Sequence, residues 1–163
     1  MDWKVGEGDA YALLAALLAE TGRGGPLPAI AREEGGKPYF PDCPRIRFNV
    51  SHSGGLALCA LSDRAVGVDI ERVRPRRARL PAYVLSGEEL AWHRARGGGW
   101  EDFYTLWTRK EARVKCTGQG LRLAAREIAV PLITPGETAR WEGFTFTALA
   151  GEGWRGALCE KLT

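Results

Sequence analysis

Residues 56–71 limit the possible folds more than any other part of the sequence. Residues 56–61 form a nearly continuous apolar run, and residues 62–64, Ser-Asp-Arg, have the composition of a turn. Residues 65–71 then alternate between apolar and other side chains, which is the period of a strand. Two such strands joined by a short turn predict a β-hairpin, and therefore an antiparallel sheet near the middle of the chain.

Three further segments have the pattern of helices. Residues 9–20 place four leucines on one face behind Asp9, which can cap the first turn. Residues 87–96 follow Ser86 and carry a glutamate three positions after it, the spacing of a capping box. Residues 100–117 have an apolar stripe at helical spacing and are followed directly by a glycine, a common helix stop.

Short apolar segments elsewhere predict strands. They are residues 48–50, 128–132, 144–149 and 154–162. After the first of them, residues 51–55 are polar and contain two glycines, which predicts a flexible turn. Helices and antiparallel strands are thus expected in the same chain.

The composition excludes several classes of protein. Of 163 residues, 45% are hydrophobic and 26% are charged, which suits a globular domain with a core. The net charge of +3 is too small to indicate a nucleic-acid ligand by itself. No apolar run approaches the ~18 residues that span a bilayer, and the N-terminus lacks a secretory signal pattern. The four cysteines include no C-x-x-C pair, so we expect reduced cytoplasmic thiols and no zinc site.

Five arginines crowd into eight positions directly after the predicted hairpin. A run of like charge is usually a solvated loop. It can also form a basic surface that attracts an anionic partner. The residues are Arg72, Arg74, Arg76, Arg77 and Arg79. The pattern leaves both interpretations open.

Two carboxylates on the second predicted hairpin strand are candidate metal ligands. Asp69 and Glu71 are two residues apart, so on a strand their side chains point to the same face. Paired carboxylates repel each other unless a cation or a proton lies between them. Two such ligands suit Mg²⁺, which binds few protein carboxylates together with phosphates and waters. The alternative is a solvated acidic face on an edge strand.

Glu111 and Lys115 are four residues apart in the helix predicted over residues 100–117, so their side chains share one face. Most pairs of this kind are surface ion pairs of little energetic consequence. The alternative is a functional pair, in which the acid binds metal or takes a proton and the cation neutralises a phosphate.

Residues 51–55, Ser-His-Ser-Gly-Gly, offer hydroxyls, an imidazole and backbone N–H groups that suit a phosphate. Nucleophilic catalysis by Ser51 or Ser53 with His52 is disfavoured, because sequence neighbours rarely form such a pair and the G-x-S-x-G turn is absent. His93 lies in a polar predicted helix, and we expect it to be exposed.

Four segments in one order resemble the Sfp-type 4′-phosphopantetheinyl transferases. They are GGKPYF, FNVSHSGG, GVDIE and WTRKEARVKCTGQGL. The resemblance covers roughly residues 36–121. Each segment alone is moderately specific, whereas all of them in this order are strongly specific and favour the metal interpretation of the carboxylates.

The resemblance implies an enzyme that transfers 4′-phosphopantetheine from coenzyme A to a serine of an apo acyl or peptidyl carrier protein, releasing 3′,5′-ADP. Asp69, Glu71 and Glu111 would bind Mg²⁺, with Mn²⁺ as the alternative metal. Glu111 would also serve as base for the carrier serine, directly or through water. Lys115 would bind the coenzyme A phosphates and stabilise charge on the leaving group, so that Asp69, Glu111 and Lys115 form the implied catalytic set.

The same resemblance implies that Ser51 and His52 contact the phosphates and that Lys37 contacts the nucleotide end of coenzyme A. The implied fold is α+β, a single transferase domain of two similar halves, approximately residues 1–66 and 67–163. Each half would be a small antiparallel sheet packed with helices, with coenzyme A in the cleft between the halves. Because one chain supplies both sides of that cleft, a monomer is expected.

The sequence departs from the family on its N-terminal side. The family has a longer basic N-terminal segment that holds the 3′-phosphate of coenzyme A, and Ala12 stands where the family often has an arginine. Arg45 or Arg47 is a candidate substitute.

Carrier proteins are acidic around the target serine, so the resemblance also favours a docking role for the arginine run. Two alternatives to a transferase are an inactive relative that binds coenzyme A or a carrier without transfer, and a small basic nucleic-acid-binding module. The intact set of Asp69, Glu71, Glu111 and Lys115 argues against the first. The mild charge and the lack of a nucleic-acid motif argue against the second.

Overall fold

A computed structural model describes residues 1–23, 26–120 and 124–163, in which nine strands, four α-helices and one short 3₁₀ helix (Ala125–Glu127) are present. The strands are β1 (Asp2–Glu7), β2 (Ala31–Arg32), β3 (Pro38–Tyr39), β4 (Arg47–Ser53), β5 (Leu56–Ser62), β6 (Val66–Arg72), β7 (Thr138–Trp141), β8 (Phe144–Gly151) and β9 (Trp154–Lys161). The helices are α1 (Ala10–Glu20), α2 (Leu80–Val84), α3 (Gly87–Ala95) and α4 (Trp100–Thr117).

Two antiparallel sheets form the framework, which confirms the predicted α+β class. The first sheet has the strand order β1-β5-β4, and the second has the order β6-β9-β8-β7. Strands β2 and β3 form a separate two-stranded ribbon. The chain completes the first sheet before it begins the second, so each sheet is built from one continuous stretch of sequence.

The hairpin predicted from residues 56–71 is wrong. Its two strands are present, but β5 pairs with β1 and β4 whereas β6 pairs with β9. β5 is buried along its whole length, because one of its faces packs on α1 and the other on the second sheet. Because β6 lies in a separate sheet, its apolar face, with Val68 and Ile70, is buried against β5. If β6 were instead hydrogen-bonded beside β5 in one sheet, that face would not pack against β5.

Apolar side chains form three clusters, and each cluster lies between two neighbouring layers. The first lies between α1 and the first sheet, and the second, the inter-sheet core, lies between the sheets. The third lies between α4 and the second sheet. Members of the three clusters are, respectively, Leu14, Leu17 and Phe48; Leu58, Val68 and Ile70; and Leu106, Ala112 and Phe146.

The helices predicted from local signals are confirmed within one residue at each end. In α1, Asp9 Oδ1 accepts hydrogen bonds from the backbone N–H groups of Tyr11 and Ala12, at 3.0 and 2.8 Å. Helix α4 has the predicted bounds and ends at Gly118, whose φ of 70° is in the left-handed region that glycine adopts readily. The short α2 was not predicted. It follows directly after the arginine run, which was expected to be part of a loop.

The capping box of α3 is complete and supports a stability prediction. Ser86 Oγ accepts from the N–H of Glu89 at 3.3 Å, and Glu89 Oε2 accepts from the N–H of Ser86 at 2.7 Å. We expect Ser86→Ala to lower the free energy of unfolding by about 1 kcal/mol, because the N–H group of Glu89 in the first turn loses its side-chain acceptor. Urea denaturation measures the change, and Ser86→Asn, which keeps a capping oxygen, is the control. Equal losses in both variants would contradict a capping role.

Residues 128–132 do not form the predicted strand. Their backbone carbonyls are bound by cationic side chains of α4 instead of by a neighbouring strand. Lys110 Nζ donates to Ile128 O at 2.7 Å, and Arg109 donates to Pro131 O at 2.5 Å. Because Pro131 has no N–H, the segment is a poor strand, and α4 satisfies its acceptors by another route.

The burial of His93 and of the cysteines can be compared with what the sequence predicted. His93 is buried, contrary to expectation, and its Nε2 lies 3.0 Å from Gly99 O, at the turn between α3 and α4. The four cysteines are free thiols, and three of them are buried.

In the part of the chain that the structure describes, no helix combines the length and the hydropathy needed to cross a bilayer.

Candidate active site

Asp69 lies where β4, β6 and α4 meet, and two of the predicted site residues contact it. Lys115 Nζ donates to Asp69 Oδ1 at 2.7 Å, and Ser51 Oγ donates to the same oxygen at 3.0 Å. Lys115 Nζ also donates to Ser51 Oγ at 3.0 Å, which closes a triangle of three polar groups. The alternation of side chains along β4 and β6 points Ser51 and Asp69 toward this junction, and Lys115 reaches it from α4.

The Asp69 carboxylate is held in an unfavourable environment. Its side chain is 6% exposed, and Oδ2 is buried with no hydrogen-bond partner in the part of the chain that the structure describes. Burial raises the pKa of Asp69 to about 6, and the charge of Glu71 adds to the rise, whereas Lys115 opposes it. A buried acceptor without a donor is uncommon in native proteins, and it marks a place where a ligand or ion can supply the partner.

Glu71 and Glu111 belong to the same electrostatic group. Glu71 Oε2 accepts a hydrogen bond from Ser53 Oγ at 2.9 Å. The pKa of Glu111 is raised by burial and, after that, by the negative charges of Asp69 and Glu71. The i, i+4 surface ion pair considered for Glu111 and Lys115 is not formed among the described residues, because Lys115 bridges to Asp69.

These carboxylates suit a divalent cation, although the described residues contain no ready-made cluster of three Asp, Glu, His or Cys ligands. Among the described residues, Asp69 Oδ2 is buried without a hydrogen-bond donor, and burial together with the charges of Asp69 and Glu71 raises the pKa of Glu111. A cation between them would provide the missing partner and relieve the repulsion. Oxygen ligands of this kind are those that Mg²⁺ prefers.

Gly67 sets the distance between α4 and β6, and so between Glu111 and Asp69. A Cβ atom at Gly67 would lie 2.1 Å from Ala112 O and 2.3 Å from Cys116 N, both in the backbone of α4. Only glycine therefore permits this packing. The glycine of the GVDIE segment is thus a structural requirement of the site.

A cavity of about 680 Å³ opens beside Asp69. Ser51, His52, Lys115 and Lys37, all predicted to contact coenzyme A, line it. Its wall also includes the start of α1, the β2–β3 ribbon and the end of α4, at Gly8, Asp9, Ala10, Tyr11, Arg32, Gly36 and Val114. The cavity size is typical of small-molecule sites.

Some of the basic side chains considered for coenzyme A binding line this cavity, and others do not. Lys37 donates to Val66 O at 3.1 Å and to Cys116 O at 2.7 Å, and burial lowers its pKa. It therefore ties β6 to the end of α4 as well as lining the cavity. Within the described residues, the suggested substitutes Arg45 and Arg47 are not part of the lining, whereas Arg32 is. Leu121, at the end of the WTRKEARVKCTGQGL segment, lies outside the described residues.

Sequence reasoning missed Asn49, and it considered the Ser53 hydroxyl for phosphate binding but not as a support for a site carboxylate. The turn predicted for residues 51–55 is wrong over 51–53, because β4 continues to Ser53. The alternation Asn-x-Ser-x-Ser was the available signal, since it places three polar side chains on one strand face. Adjacent Ser51 and His52 therefore project from opposite faces of β4, although both line the cavity.

Comparison with known proteins finds similarity to 4′-phosphopantetheinyl transferases, both in a family model and in individual relatives. The model of the 4′-phosphopantetheinyl transferase superfamily matches residues 65–153, more than half of the chain. The 4′-phosphopantetheinyl transferase Sfp of Bacillus subtilis (strain 168) is 34% identical over 109 residues, which are 66% of this chain and 49% of that protein.

Two further relatives come from other bacteria. A putative 4′-phosphopantetheinyl transferase of Haemophilus influenzae is 37% identical over 69% of this chain and 50% of its own length. The 4′-phosphopantetheinyl transferase AcpT of Salmonella typhi is 41% identical over 57% of this chain and 51% of its own length. The chain thus spans about half the length of the curated relatives it matches.

Proposed function

Because this chain belongs to the 4′-phosphopantetheinyl transferase superfamily, we propose that it transfers 4′-phosphopantetheine from coenzyme A to a serine of an apo acyl or peptidyl carrier protein. The observation that carries the proposal is the convergence of Asp69, Glu71, Glu111 and Lys115 beside a cavity of about 680 Å³. A diphosphate donor needs cations and metal-binding oxygens next to a pocket for its nucleotide, and this arrangement offers both.

Coenzyme A would bind with its diphosphate against Ser51, His52 and Lys115, and with its nucleotide end toward Lys37. Lys115 is 31% exposed, so its ammonium can contact a phosphate oxygen while it remains near Asp69. When bound by Asp69, Glu71 and Glu111, Mg²⁺ or Mn²⁺ would neutralise charge on the diphosphate.

Glu111 is the proposed base. Burial, the first cause of its raised pKa, favours proton acceptance by this carboxylate. Glu111 takes the proton of the carrier serine, directly or through water, as the serine oxygen bonds to the pantetheine-side phosphorus. The bond from that phosphorus to the bridging oxygen of the diphosphate breaks, and 3′,5′-ADP leaves with the electron pair. Lys115 stabilises the charge that develops on the leaving phosphate.

Intact-mass spectrometry of an apo carrier protein tests the reaction. The carrier is incubated with this protein, coenzyme A and Mg²⁺, with one control in EDTA and one with Glu111→Ala. We expect the carrier to gain the mass of phosphopantetheine only when metal and Glu111 are both present. Unmodified acyl and peptidyl carriers, together with undetectable coenzyme A binding, would contradict the proposal and favour an inactive relative.

The loop of residues 73–79, here named the arginine loop, is the proposed carrier-docking surface. It begins one residue after β6, which carries Asp69 and Glu71, and its four arginines are exposed. None of the four forms a salt bridge with the residues that the structure describes. Such a surface would steer an acidic carrier toward the site. We further propose that the protein acts in the cytoplasm as a monomer and needs neither nucleic acid nor membrane.

Reversing the charge of this loop should slow association with the carrier. For Arg76→Glu/Arg77→Glu we expect kcat/KM for the carrier to fall by about tenfold to a hundredfold at low salt, with unchanged coenzyme A affinity. Carrier kinetics and coenzyme A calorimetry measure the two quantities. The matched control is Arg94→Glu/Arg140→Glu, which makes the same charge change at exposed positions on α3 and β7. Carrier kinetics that respond equally to both double variants would contradict local docking.

A further inference from the structure

Strand β4 contacts β6 through side chains instead of a backbone ladder. Three side chains on one face of β4 accept hydrogen bonds from N–H groups on the outer edge of β6. The pairs are Asn49 Oδ1 with Val68 N (2.8 Å), Ser51 Oγ with Ile70 N (3.4 Å) and Ser53 Oγ with Arg72 N (3.2 Å). Every pair is 19 residues apart in sequence, so the two strands run parallel and in a constant register.

This contact solves a problem created by the sheet order. β6 is the terminal strand of the second sheet, and its other edge pairs with β9. Val68 and Ile70 are almost wholly buried, so water is not available to their outward N–H groups. Unpaired buried N–H groups are costly, and the polar face of β4 removes that cost without adding a strand to the sheet.

Two of the three side chains also hold the candidate metal ligands. Ser51 Oγ donates to Asp69 Oδ1 at 3.0 Å, and Ser53 Oγ donates to Glu71 Oε2 at 2.9 Å. A single hydroxyl oxygen thus connects each carboxylate to the backbone N–H of the residue that follows it. Ser51 also contacts Lys115 and lines the cavity, so it belongs to the site itself. Ser53 does neither among the described residues, so its hydrogen bond to Glu71 is its link to the site.

We propose that Ser53 is a positioning residue for Glu71, which fixes the Glu71 carboxylate for metal binding without touching substrate. For the role of Glu71, this inference rests on the proposed function. Among the described residues, Ser53 is the one hydrogen-bond donor to the Glu71 carboxylate. Outer groups that orient a metal-binding carboxylate typically change metal affinity by 10- to 100-fold.

Metal affinity is the decisive measurement. Mn²⁺ binding to the free protein is followed by electron paramagnetic resonance, and the Mg²⁺ concentration for half-maximal transfer is measured separately. We expect Ser53→Ala to weaken both by about tenfold or more, with an unchanged coenzyme A KM at saturating metal. Ser53→Thr keeps the hydroxyl and should recover most of the affinity. Amide hydrogen exchange at Arg72 should accelerate in Ser53→Ala, because its acceptor is gone.

Ser62→Ala is the matched control. Ser62 Oγ donates to Glu160 Oε1 at 2.5 Å, which is also a serine–glutamate pair between the two sheets. It lies at the other end of the sheet contact, next to the start of β6. We expect Ser62→Ala to affect stability without changing Mn²⁺ affinity. Equal loss of Mn²⁺ affinity in both alanine variants, or wild-type affinity in Ser53→Ala, would overturn the positioning role.

The failure of this inference can be distinguished from the failure of the proposed function. A wild-type protein that modifies carriers, together with a Ser53→Ala variant of unchanged metal affinity, overturns only the role of Ser53. A wild-type protein that binds no Mn²⁺ also overturns it, and carrier mass then decides the transferase proposal separately. Mn²⁺ binding that depends on Ser53 supports the role of Ser53 even if no tested carrier is modified.

Discussion

Asp69→Asn is expected to reduce transfer by on the order of a thousandfold and, in EDTA at pH 7.5, to leave the protein at least as stable as the wild type. The amide keeps the size of the side chain but removes the charge that would bind metal. In the absence of metal, the same charge opposes folding, because burial raises the Asp69 pKa to about 6 from its ordinary value of 3.8.

The sign of the pH effect follows from proton binding. Between pH 4 and pH 6 folded Asp69 holds a proton that the unfolded chain has released, so stability falls as pH rises through this range. Above pH 6 the cost is constant, at about 3 kcal/mol. This cost is already net of the attraction of Lys115. Asp69→Asn removes it, and its advantage over the wild type should vanish below pH 4, where folded Asp69 is also uncharged.

Thermal denaturation in EDTA at pH 4 and pH 7.5, together with the carrier mass assay, checks this prediction. Asp42→Asn, at an exposed loop position, is the control and should change neither quantity. A variant that loses several kcal/mol at pH 7.5 would show that Asp69 is a structural ion-pair partner of Lys115. A variant that retains full transfer would show that Asp69 is not a metal ligand.

Gly67→Ala should produce the largest loss of stability among glycine-to-alanine changes at the described residues. The new Cβ would lie 2.1 to 2.8 Å from backbone atoms of Ala112 and Cys116, which cannot move unless α4 shifts. Overpacking of this kind costs about 3 kcal/mol or prevents folding. Because α4 carries Glu111 and Lys115, the part of the protein that folds should also transfer poorly.

Urea denaturation of Gly67→Ala measures the loss as a lower midpoint at an unchanged slope. Gly87→Ala is the comparison, because a Cβ there meets no atom within 4 Å and Gly87 is the first residue of α3. That variant should be neutral or slightly stabilised, since alanine is the better helix former. A Gly67→Ala midpoint equal to that of the wild type would show that α4 can move away from β6 at little cost.

The features that were predictable from sequence depend on near neighbours. The bounds of α4 followed from its apolar stripe and from Gly118, and the capping box of Ser86 is a three-residue relation. The shared face of Asp69 and Glu71 followed from strand period. Each of these relations is decided within a few residues, so the sequence pattern contains the information needed to predict it.

The features that were missed depend on distant partners. Residues 51–53 resembled a turn because their polar side chains had no visible use, and that use is the edge of β6. Residues 128–132 resembled a strand because their apolar side chains gave no sign that Arg109 and Lys110 bind their carbonyls. The partner of β5 was misassigned because a short turn permits, but does not require, pairing of the strands that it joins.

Only residues 63–65 connect β5 to β6, although the two strands belong to different sheets. Both sheets contribute side chains to the inter-sheet core. The first sheet alone would expose Leu58 to water, and the second sheet alone would expose Val68 and Ile70. Neither sheet is therefore an autonomous folding unit, and both should melt in one cooperative transition. A ligand that binds in the cavity would then protect the whole chain from unfolding, including strands that it never contacts.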